Sequence, residues 1–145
     1  MMRTQQLLGS VFFLFLAAPL FADGAALPSL EKSRAFIQYE RRPQSELSKL
    51  IYLIDRYKDS ELSIFYEGQL YDAATAAKYA KNYLRKNYKK GTAENWVSRH
   101  CYRSTGQGSV IYVHYPDGAK RIMKDVMLEE LAFLAKVAGR QAGSR

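Results

Sequence analysis

Cysteine occurs once in this 145-residue chain, at Cys101. No disulfide can close within it and no cysteine zinc site can form. Histidine occurs twice, at His100 and His114, without the spacing of a paired metal helix, and the carboxylates are scattered without a calcium-loop pattern. The expectation is therefore no metal and no other cofactor. Gly106-x-Gly108 lacks a following glycine-lysine pair and opens no helix, which excludes a phosphate loop. The longest apolar run, Leu7–Phe21, is 15 residues, short of the roughly 20 that cross a bilayer as a helix. Residues 73–91 contain no aspartate or glutamate. Internal repeats and low-complexity blocks are also missing.

What is present begins with the leader. Arg3 precedes the apolar run, and small residues follow it, with Ala22 before Asp23 and Ala25-Ala26 before Leu27. Basic, apolar, small is the order of a secretory signal peptide. Cleavage is expected near Ala22, with Ala26 as the second choice, leaving a soluble exported protein in the periplasm. The net charge is +8, and Arg3 is the one charged residue in 1–22, so the mature chain keeps +7. A basic domain in that compartment is drawn to anionic partners. Those are an anionic envelope component or another envelope protein, rather than nucleic acid.

Residues 23–44, bracketed by Pro28 and Pro43, lack a clear period and read as an irregular arm, extended at most over Ala35–Tyr39. Ser45 caps a helix running to Lys58, with Leu47, Leu50, Ile51, Ile54 and Tyr57 on one face. Leu62–Tyr66 and Gln69–Tyr71 form a hairpin around Glu67-Gly68. Asp72 caps the longest helix, Ala73–Lys90, whose Ala73, Ala77, Ala80 and Leu84 allow close approach to a neighbour, and Gly91 ends it. Thr92 starts a helix from Ala93 to Cys101. Val110–Tyr115 and Ala119–Met123 flank the Pro116-Asp117-Gly118 turn. A last helix, Asp125–Val137, turns Met127, Leu128, Leu131 and Leu134 inward. The expected architecture is a small single α+β domain over residues 45–138, of about four helices and two short β-hairpins, followed by a flexible tail at 139–145.

The order of these motifs resembles the YfeK-like family of small exported bacterial proteins, a domain of unknown function. The residues that carry the resemblance are Phe65-Tyr66-Glu67-Gly68-Gln69-Leu70-Tyr71, Ala76-Ala77 and Leu84-Arg85 within the long helix, and Thr92-Ala93-Glu94-Asn95-Trp96-Val97. Ser104-Thr105-Gly106, Tyr112-Val113 and Pro116-Asp117-Gly118 complete it, so that it spans roughly residues 45–135. It implies a periplasmic, non-enzymatic domain and supplies no catalytic residues. Arg99-His100-Cys101-Tyr102-Arg103 departs from the serine-rich stretch usual there.

Two constellations stand out for binding. Lys78, Lys81, Arg85 and Lys89 recur at three, four and four residues, forming one cationic stripe flanked by Lys86 and Lys90 and interleaved with Tyr79, Tyr83 and Tyr88. Such a stripe suits an anionic surface, although lysine and arginine also simply solvate a helix face. Tyr66, Tyr71, Tyr112 and Tyr115 on the hairpins offer an aromatic platform, with ordinary packing as the competing role. His100 and Cys101 are neighbours, but adjacent helical residues point about 100° apart, and only His114 remains as a base. The sequence thus favours a binding or accessory module with no catalytic residues. The alternatives are a hydrolase of envelope material and an interaction module that pairs its hairpin edge with a partner strand.

Overall fold

A computed structural model of the chain describes residues 27–144. The expected leader and cleavage site lie outside the described residues. After a 3-10 turn at Leu30–Lys32, helix α1 runs Arg34–Arg41. The irregular arm is thus corrected over this span. Ser33 Oγ accepts from the Phe36 amide, and Ala35, Phe36 and Tyr39 share a buried face. The charged residues between them hide that face from a simple periodicity count. Arg42 is extended, as the residue before Pro43 is expected to be.

Helix α2, Glu46–Lys58, starts at Ser45 as expected, and Ser45 and Ser48 form a reciprocal capping box. Its expected apolar face is only half right. Leu50 and Tyr57 are buried but Leu47 is 38% exposed, while Tyr52, Leu53 and Arg56 are buried instead. Helices α1, α3 (Ala73–Asn87), α4 (Ala93–His100) and α5 (Met123–Ala142) all contact α2, so no single stripe describes its interior side.

Strands β1 (Ser63–Tyr66) and β2 (Gln69–Asp72) make the first hairpin. Glu67 and Gly68 both take positive φ, at 49° and 79°, the backbone of a type I′ turn. Glu67 accepts this left-handed conformation while its carboxylate takes the Gln107 amide at 2.9 Å. Strands β3 (Tyr112–His114) and β4 (Lys120–Ile122) make the second hairpin, around a turn in which Asp117 accepts from the Ala119 amide. The two hairpins are not separate. β1 pairs antiparallel with β3, Ile64 opposite Val113, giving one four-stranded sheet in the order β2-β1-β3-β4.

Helix α3 is capped by Asp72, which accepts from the Thr75 amide at 2.7 Å. It stops at Asn87 rather than Lys90, because Tyr88 turns onto Trp96 (centroids 5.6 Å apart) and donates to the Gly91 carbonyl. Helix α5 continues to Ala142, through most of the expected tail. The chain is therefore α+β, with five helices where four were expected. Helices α3 and α5 contact the sheet, α3 along β1 and β2, α5 along β3 and β4. Among the described residues, no helix is long and apolar enough to cross a membrane.

Candidate functional site

Strand alternation sorts the hairpin aromatics onto two faces. Ile64, Tyr66 and Tyr71 lie on the α3 side, and with α3 and α4 they line a solvent-open cavity of about 550 Å³. Its floor comes from Leu50, Leu53, Ile54 and Tyr57 of α2, with Ile111 and Met127 beyond. Its roof is the alanine face of α3, Ala73, Ala76, Ala77 and Ala80, closed at one end by Leu84. Helix α3 does run beside α2, as its small residues allow, but the same side chains are too short to fill the space beneath them. A second cleft, between α1 and the end of α5, measures only about 150 Å³.

The mouth is built from partly exposed groups. Tyr79 and Tyr83 project from α3, Trp96 and His100 from α4, and Arg103 and Thr105 from the following loop. That loop is strapped to the first hairpin. The Gln107 amide donates to Glu67, and the Thr105 amide donates to the Tyr66 hydroxyl at 3.4 Å. A Cβ at Gly106 would stand 2.5 Å from the Glu67 carboxylate, so a larger residue there would have to push that side chain aside from the crossing.

His100 lies with its ring 4.1 Å from Trp96 and its Nδ1 3.2 Å from the Tyr83 hydroxyl. Burial, aided by Arg99, lowers its pKa below the ordinary 6.5, so the imidazole facing the cavity is neutral at neutral pH. Cys101 also lines the cavity, and burial pushes its thiol up to about 12. His114 stacks on Phe65 on the opposite face of the sheet, too far around to act as its base. A protonated thiol beside a neutral imidazole, with no carboxylate in the lining, is poor equipment for nucleophilic or acid-base chemistry. Hydroxyls, one guanidinium and a long apolar wall are good equipment for holding an apolar molecule. Among the described residues, no group of three metal-ligating side chains gathers.

The structure divides the residues singled out in the sequence. Tyr66 and Tyr71 meet at the cavity. Tyr112 does not, because it pairs with Phe65 on the far face, where the Lys120 ammonium sits 5.0 Å from its ring centroid. Tyr115 packs at the edge of the core. Lys78, Lys81 and Arg85 lie exposed on α3, and Lys89 falls beyond the helix, so the four-residue stripe is three residues long. Nor does it lack a compensating acid. Lys81 Nζ is 3.9 Å from Asp55 of α2, which Arg42 also engages at 3.2 Å. Sequence reasoning missed the cavity itself, along with Trp96, His100 and Arg103 as members of its wall. The available signal was an alanine run along one face of a helix whose other face carries the lysines. No family model, curated protein or solved structure matches the chain.

Proposed function

We propose that this chain is a small exported binding module, without catalytic activity, that takes up a largely apolar component of the cell envelope beneath α3. The cavity is the observation that carries the reading. At about 550 Å³ it falls within the roughly 300–1,000 Å³ of small-molecule sites, and it has their apolar wall with a few polar groups at the mouth. The leader and the resemblance to the YfeK-like family support the exported part of this reading. The raised thiol and the missing carboxylate weigh against the alternative of an envelope hydrolase.

The outward face of α3 extends the same reading. Lys78, Arg85 and Lys86 form no ion pair among the described residues. They leave a basic surface for an anionic envelope component or protein partner. Association with anionic vesicles that weakens above roughly 0.15 M salt supports that role, and its survival in a Lys78→Glu, Arg85→Glu variant removes it.

The cavity is tested with a neutral, environment-sensitive naphthylamine dye. The purified protein should bind it saturably, and Ala77→Phe with Ala80→Phe should abolish binding while the circular dichroism spectrum is kept. Equal binding by the filled variant sinks the reading.

A further inference from the structure

We infer that the occupant of the cavity is a single-chain amphiphile with an anionic head, its tail beneath α3 and its head at Arg103. This rests on the reading that the cavity is the binding site. Size fixes the tail. An engineered cavity of about 150 Å³ takes benzene, roughly 25 Å³ per carbon, so about 550 Å³ houses on the order of twenty carbons. That is one acyl tail rather than the two of a bilayer phospholipid. The floor of leucine, isoleucine and methionine side chains suits a chain with no polar groups along its length, each buried methylene contributing roughly 0.8 kcal/mol.

Charge fixes the head. Arg103 is the one residue with a permanent charge in the lining, and no aspartate or glutamate is there to receive a cationic head. Its Nη1 donates to the Gly108 carbonyl at 3.0 Å, which orients the guanidinium and leaves other N–H donors in its fork. Thr105 beside it adds a hydroxyl, and the Tyr66 hydroxyl is 3.4 Å from Thr105 Oγ1. Of the other mouth hydroxyls, Tyr71 donates to Gln69 and Tyr83 is bonded to His100. Tyr66 and Thr105 are bonded to each other, where the loop that carries Arg103 meets the first hairpin. Arg103, with Thr105 and Tyr66 in the same lining, is thus the group offered to a carboxylate or phosphate, with which a guanidinium makes charge-assisted hydrogen bonds. A fatty acid and a lysophospholipid share this chemistry.

The test uses twelve-carbon probes below their micelle concentrations. Dodecanoate and dodecyl phosphate represent the two anionic sources, with dodecanol as the neutral and dodecyltrimethylammonium as the cationic counterpart. Trp96, the only tryptophan of the chain, stands in the cavity wall and reports occupancy by fluorescence. Both anions should bind about tenfold more tightly than the alcohol, with the cation weakest, since a hydrogen bond to a charged group is worth roughly that factor or more. The tighter of the two anions identifies the source. Arg103→Gln should bring the anions down to the level of the alcohol and Arg103→Lys should restore most of the preference. Arg99→Gln, at an exposed α4 residue outside the lining, should change nothing. Equal affinity for all four heads, or an anion preference untouched by Arg103→Gln, overturns this inference while leaving the cavity reading in place. Failure of every probe, the neutral naphthylamine included, overturns the cavity reading itself.

Discussion

Helix α2 has two neighbourhoods, and they are packed on opposite terms. Toward α1 and α5, Tyr52 is fully enclosed and stacks edge-on with Tyr39 at 5.7 Å. Its hydroxyl donates to Glu130, which also accepts from Arg56 Nε at 2.8 Å. Burial and this carboxylate raise the Tyr52 pKa well above the ordinary tyrosine range. Toward α3, the same helix sets Leu50, Leu53 and Tyr57, all buried, and the half-buried Ile54 along the floor of a cleft roofed by alanines. Protein interiors are normally filled to crystal-like density, so a cleft kept beside this floor forgoes part of the contact that a filled core would make. The difference separates the two jobs of the fold. The α1–α2–α5 junction holds it together, and the α3 side keeps room that folding alone does not require.

The largest expected effect breaks the packed side. Glu130→Gln leaves the buried Arg56 charge without its counter-ion, beside an Nη1 that already has no hydrogen-bond partner. Removing one member of a buried pair costs on the order of 3–5 kcal/mol, read as a lowered urea midpoint at unchanged slope. A loss under about 1 kcal/mol would mean that the junction does not anchor the fold.

One substitution placed on both sides sharpens the contrast. Ala35→Leu, in the buried face of α1, should cost about 1–3 kcal/mol through overpacking. Ala77→Leu, in the cavity roof, has space to enter and should be neutral or slightly stabilising while weakening dye binding. Equal penalties would place the alanines of α3 in an ordinary tight interface.

The smallest effect is a pH dependence of the cavity wall. The folded pKa of His100 lies below its unfolded value near 6.5, so the unfolded chain takes up the proton first as pH falls. Its contribution is present above pH 6.5 and lost as pH drops through the folded value. Glu46, bonded by Lys49 and the Ala93 amide, and Glu129, bonded by Arg121, have lowered pKa values, so their contributions fade only below about pH 4.5. Urea midpoints at pH 7.5 and 5.5 should therefore converge in His100→Asn and differ in the unmodified protein. An unchanged difference would place the responsible group elsewhere.

What the sequence alone determined is local. Ser45, Asp72 and Thr92 cap their helices, and Glu67-Gly68 and Pro116-Asp117-Gly118 turn their hairpins, because each device is completed within three or four residues. The α+β class follows from those signals. Tertiary structure decided everything that depends on distance. It buried α1 against α2, spread the interior side of α2 around most of its circumference, and brought Asp55 to Lys81. It also joined two hairpins through β1 and β3, and put Tyr112 on the face opposite Tyr66. The cavity is the clearest case. Its walls come from α2, α3, α4, α5, the first hairpin and the loop after α4, and its volume is set by how α3 is placed over α2 and the hairpin. No window of sequence encodes that placement, because alanines permit close packing and open space alike until the neighbours are in place.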